Sequence, residues 1–247
     1  NPLLVHVLGL EAAKSRDTTD EELERLCDLL REGIRAGACG WSAQVTAPGG
    51  GLDVQRDYDG SPFASDLMSK RTALAFARVL AEFEHTFIQI ALSTPDGLES
   101  DRQHLEQLAI QSGGIVLHNA IGSFPGRSDL HHDAMDWIRS CRERGIQVSP
   151  QMITTGEEFT FTFEEWNMWD EVEAWREATL GSPAERLAKL GDPARRSALR
   201  ENVPTIFVLD NVVILRTFTD KFLPAKGTKL PDACKILGYD DMVDLLL

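Results

Sequence analysis

The chain has 247 residues, 43% of them hydrophobic and 26% charged, and at about 100–200 residues per domain this allows one large α/β domain or two small ones. Lys and Arg number 25 against 39 Asp and Glu, and the resulting net charge of −14 repels a phosphate backbone, which argues against nucleic-acid binding. Nothing in this balance suggests disorder or a membrane span. Cys27, Cys39, Cys141 and Cys234 lie far apart with no CxxC pair, the usage of reduced thiols in a cytoplasmic protein.

In chain order, the apolar run Leu3–Leu8 predicts a strand, and it lacks the basic flank and cleavage site of a signal peptide. A helix follows over Thr19–Ala36, because Leu23, Leu26, Cys27, Leu30 and Ile34 share one face, Thr19 and Glu22 form a capping box, and Gly37 suits the C-cap. The pattern continues with a strand at Cys39–Val45, a helix at Lys70–Phe83, a strand at Thr86–Leu92 and a helix at Leu98–Gln111. Next come a strand at Ile115–Asn119, a helix at Leu130–Arg144 and a strand at Ile146–Met152. Such alternation of helices with strands apolar on both faces is the mark of parallel α/β architecture. A doubly wound sheet and a (β/α)8 barrel both satisfy it. The chain has no GxGxxG after its first strand and no GxxxxGK[ST], so the phosphate-binding reasons for a nucleotide fold are missing and the barrel gains.

After Met152 the alternation stops. A region rich in tryptophan and acids (Trp166, Trp169, Trp175) leads into helical pieces around Glu185–Leu190 and Pro193–Glu201. A hairpin is predicted from Thr205–Leu209 and Val212–Thr217 around Asp210-Asn211, followed by helices at Pro231–Leu237 and Asp240–Leu247. The expected organisation is barrel units over 1–153, a helical Trp-rich insertion over 154–203, and a hairpin with C-terminal helices over 204–247 belonging to the same module.

Several strings resemble one family in the correct order. Glu32-Gly-Ile-Arg-Ala-Gly-Ala-Cys-Gly-Trp-Ser42, preceded by Leu8-Gly-Leu-Glu-Ala12 and Thr18-Thr-Asp-Glu-Glu22, resembles metal-dependent amidohydrolases of the D-aminoacylase type, the N-acyl-D-amino-acid deacylases. Leu190-Gly-Asp-Pro193 and Lys229–Leu247 are similar to later segments of that family. The resemblance implies a distorted (β/α)8 barrel with zinc at the C-terminal ends of the strands, where a zinc-bound water attacks an amide carbonyl and an aspartate moves the proton. The family's HxH motif and that aspartate fall outside the matched strings. The implied module is therefore incomplete, with missing strands expected from the remainder of the same polypeptide or from a partner chain.

Carried across residue by residue, the resemblance weakens where the chemistry sits. The family's first metal-binding histidine of this region corresponds to Gln89 or Ile90 in Phe87-Ile-Gln-Ile-Ala91. Ile115-Val-Leu-His-Asn-Ala120 places His118 at the next histidine, the single candidate zinc ligand, but no lysine follows it. The substrate-contacting tyrosine has no counterpart near Ala47. Candidate substrate contacts are Gln44, Gln89, Asn119 and Gln151 at strand ends, together with Arg56, Tyr58 and Asp59 in the polar loop after the second strand, where an arginine can grip a carboxylate. The adjacent pair His131-His132 diverges around a helix and reads as solvent-facing, and His6, His85 and His104 read as ordinary surface or strand-edge residues.

Two functions follow. One is a metal-dependent hydrolase of an amide bond such as that of an N-acyl amino acid, acting on a small-molecule substrate. The other is a non-catalytic binding or accessory subunit derived from that fold, favoured by Gln89 and by the missing lysine and tyrosine.

Overall fold

A computed structural model describes residues 1–44, 57, 59–90, 99–122, 129–152, 163, 169, 172–203 and 209–247. It divides into two compact units, one of residues 1–57 and 61–160, the other of residues 58–60 and 161–247.

The first unit opens with a correction. The run read as a strand is a helix, α1 (Pro2–Leu8), followed by α2 (Leu10–Ser15). Proline at the first helical position pre-sets φ, and a short apolar run does not reveal its own period. Helix α3 (Asp20–Arg35) has the expected capping box, in which Thr19 Oγ1 accepts from the Glu22 amide at 3.2 Å and the Thr19 amide donates back to Glu22 Oε2 at 2.9 Å. Its stripe buries Leu26, Cys27 and Leu30. The chain then alternates through β1 (Gly40–Ala43), α4 (Lys70–Leu80), β2 (Phe87–Ile90), α5 (Glu99–Ser112), β3 (Ile115–Ile121), α6 (Asp129–Glu143) and β4 (Val148–Met152).

The four strands form one parallel sheet in the order β1-β2-β3-β4. Right-handed connections between strands laid down in sequence put each connecting helix on the same side. The burial pattern agrees. Ile88, Ile90, Val116 and Val148 are buried in one core with residues of α3, α4, α5 and α6, whereas Phe87, Gln89, Leu117 and Asn119 at the alternate positions are only partly buried. Helices α5 and α6 are also clamped by Glu106, whose carboxylate accepts from Trp137 Nε1 at 2.9 Å and from the Arg144 fork at 2.6 and 2.7 Å. That fork holds the Glu106 carboxyl down at about 2.

The second unit contains α7 (Glu173–Thr179), α8 (Pro183–Leu190), α9 (Pro193–Glu201), α10 (Leu230–Leu237) and α11 (Met242–Leu246). Trp169 and Trp175 meet at 4.3 Å between ring centroids and are buried with Leu199, Leu209, Leu230 and Val243 in a core of their own. The tryptophan-rich segment and the C-terminal helices thus share one core. Where a hairpin was expected, Leu209–Asn211 is a 3-10 turn and Val213 bridges antiparallel to Lys229; residues 205–208 lie outside the described residues.

Two glycines make the role of local sterics testable. Gly40 begins β1 with φ +152°, and a Cβ there would stand 1.8 Å from the Phe87 carbonyl oxygen of β2. Gly33 lies inside α3, and a Cβ there meets nothing within 4 Å. Urea denaturation is expected to show Gly33→Ala more stable by about 0.5–1 kcal/mol. Gly40→Ala is expected to lose about 3 kcal/mol or more, because the clash is with backbone. Equal effects at the two positions would contradict the β1–β2 packing.

Candidate functional site

A strand delivers successive side chains to opposite faces, so neighbours in sequence meet different surroundings. In β3, His118 and Asn119 show this separation.

On the face away from the helices, Ser42, Gln89, Leu117 and Ser149 form one row across the sheet, and Asn119 pairs with Gln151 one step further toward the C-terminal ends. Gln89 and Gln151 belong to strands separated by β3, roughly 10 Å apart. Their side chains nevertheless join, Gln89 Nε2 donating to Gln151 Oε1 at 3.1 Å. At this rim Ser42, Gln44, Gln89 and Asn119 line a cavity of about 290 Å³. Ala43 and Ile90, which end β1 and β2, complete the lining together with Asn1, Phe63 and Ser65. The segment carrying Phe63 and Ser65 is held by a turn, with the Asp66 amide donating to the Phe63 carbonyl at 3.0 Å. Asp66 is fully buried and accepts from Ser65 Oγ at 3.2 Å.

His118 goes the other way. It is 4% exposed, sits edge-on to Trp137 of α6 at 5.8 Å, and shares that indole with the Arg102 guanidinium, 5.4 Å from the ring centroid. Burial first, and the Arg102 charge second, lower its pKa to about 4. It is a neutral core histidine whose Nδ1 has no hydrogen-bond partner among the described residues. His104 is likewise buried, 4% exposed, although it read as a surface residue. It occupies the stripe of α5 that buries Leu108 and Ser112, and its two ring nitrogens have no hydrogen-bond partner among the described residues. Burial and the charge of Lys70 lower its pKa to about 4 as well.

Of the sequence-predicted contacts, Gln44, Gln89 and Asn119 therefore converge on one cavity, and Gln151 reaches it through Gln89. Asp59 is exposed and belongs to the second unit, while Arg56 and Tyr58 lie outside the described residues. Trp169 and Trp175 are core residues of the second unit; Trp166 is outside the described residues. Sequence reasoning did not single out Phe63 and Asn1. The signal for Ser65 and Asp66 was only their place in a polar loop.

Zinc requires imidazole, thiolate or carboxylate donors converging at about 2.0–2.3 Å. The side chains lining this cavity offer amides and hydroxyls, His118 is turned toward the helices, and the described residues contain no group of three or more His, Cys, Asp and Glu able to hold an ion. The described rim does not fit that metal. No protein family, curated protein or solved structure matches the chain.

The two histidines give a pH dependence. Each stays neutral in the fold down to about pH 4 but titrates near 6.5 when unfolded, so the unfolded chain binds more protons between those values. Stability is therefore complete above pH 6.5 and falls as pH drops toward 4, by up to about 1.4 kcal/mol per pH unit per histidine. Urea titrations across this window are expected to show His104→Leu flattening the slope and raising stability by about 1 kcal/mol at neutral pH, since it removes unpaired buried nitrogens. An unchanged slope would contradict the assignment.

Proposed function

We propose that the chain is a ligand-binding α/β module of barrel type, holding a small polar molecule at the C-terminal ends of its parallel strands. The observation that carries this reading is the convergence of Ser42, Gln44, Gln89 and Asn119, from three successive strand ends, on one cavity. Uncharged amide and hydroxyl groups both donate and accept, so they suit a ligand bearing hydroxyl or amide groups. The sequential parallel order supports the barrel reading, since barrel enzymes work at this end of their strands. A second reading, an amide hydrolase acting on N-acyl amino acids, is favoured by the same location, and its zinc donors would come from outside the described residues.

Calorimetry against a panel of polyols and small amides tests the first reading. A binder is expected, and Gln89→Ala or Asn119→Ala is expected to weaken it about tenfold, the worth of one hydrogen bond, without loss of fold. Turnover of N-acyl amino acids with stoichiometric bound zinc would overturn the binding reading in favour of the hydrolase.

A further inference from the structure

A second cavity, of about 250 Å³, opens between α1, α2, the segment Ala64–Ser69 and the first turn of α4. It is separate from the strand-end cavity: Asn1, Phe63 and Ser65 line that one, whereas Leu4, Leu8, Ala64 and Leu67 line this one. Leu4, Leu8, Ala13, Ala64, Leu67 and Met68 give it an apolar wall, and Leu4, Ala13, Ala64 and Met68 are themselves buried. Protein interiors are close-packed, with few voids larger than a water molecule, so room of this size against buried side chains is uncommon.

The polar part of the wall is already engaged. Lys14 Nζ donates to Asp57 Oδ2 at 2.8 Å and to Ser61 Oγ at 2.7 Å, and the Arg16 fork grips Glu22 at 2.7 and 2.8 Å. Asp17 Oδ1 accepts from Ser69 Oγ at 2.8 Å and from the Thr18 amide at 2.7 Å, and the hydroxyls of Thr18 and Thr72 share a hydrogen bond at 3.1 Å. The partners of these groups all belong to the protein. A ligand cation would face Lys14 and Arg16, a ligand anion would face Asp17, and either would give up its hydration on entering. An uncharged apolar group loses little and gains the aliphatic wall. A dry cavity of about 150 Å³ lined by aliphatic and aromatic side chains is already large enough to bind benzene.

We propose that this second cavity binds a small uncharged apolar group of about the size of a benzene ring, seated against Leu4, Leu8, Leu67 and Met68.

Benzyl alcohol, benzoate and benzylamine carry the same ring on a neutral, an anionic and a cationic head at about pH 7. Each is titrated into the intact chain while the Met68 methyl signal is followed by NMR. Benzyl alcohol is expected to move that signal saturably, to show nuclear Overhauser contacts with the methyls of Leu4, Leu8 and Met68, and to leave the side-chain amides of Gln89 and Asn119 unmoved. Both charged analogues are expected to bind more weakly by about tenfold or more. Leu67→Trp places a ring of the protein's own in the space and is expected to weaken the alcohol by about tenfold or more. No saturable shift, or contacts with other residues in place of these three, overturns the proposal on the unaltered chain. So does a charged analogue within about tenfold of the alcohol, or a folded Leu67→Trp chain that loses less than about tenfold.

Discussion

The pleat of a parallel strand forces each residue to choose a face, and in this protein only one face of the sheet is packed by the connecting helices. The strand order β1-β2-β3-β4 with right-handed connections makes that asymmetry unavoidable. Ile88, Ile90, Val116 and Val148 complete the core with α3 through α6. Their neighbours in sequence are thereby free to be polar, and Ser42, Gln89, Asn119 and Gln151 are the result. The residues of the cavity are thus a by-product of the same period-2 geometry that builds the core.

This constraint explains why His118 and Asn119, adjacent in the chain, have unrelated roles. Asn119 stands at the rim, whereas His118 is shut between the sheet and Trp137, where a charged imidazolium is costly and the neutral form persists to about pH 4. A histidine at a strand end invites a reading as a metal ligand. Its face decides otherwise among the residues described here, because a ligand needs companions on the same side and His118 faces an indole and a guanidinium.

Much of the fold was legible from periodicity. The stripe of α3, its capping box at Thr19 and Glu22, and the four strands with their connecting helices follow from spacing to within a few residues. Leu3–Leu8 misled because six apolar-rich residues satisfy either period, and Pro2, favourable at a helix start, was the discriminating signal. His104 misled because it was weighed alone; placed four residues before Leu108 it belongs to the buried stripe of α5. Of the site, the amides at strand ends were readable because strand ends converge. The contribution of Phe63 and Ser65 was not, since a turn in a long connection carries no period to follow. The way Ser65 spends its proton on Asp66 depends on tertiary placement that spacing does not encode.

The most direct test of this division of faces is to follow the side-chain signals of the chain by NMR as a ligand found by calorimetry is titrated in. Shifts of the amide NH₂ signals of Gln44, Gln89 and Asn119, with the ring signals of His104 and His118 unmoved, are the predicted result. Movement of the His118 ring with the three amides unchanged would contradict the account, because it would place the ligand on the helix side of the sheet.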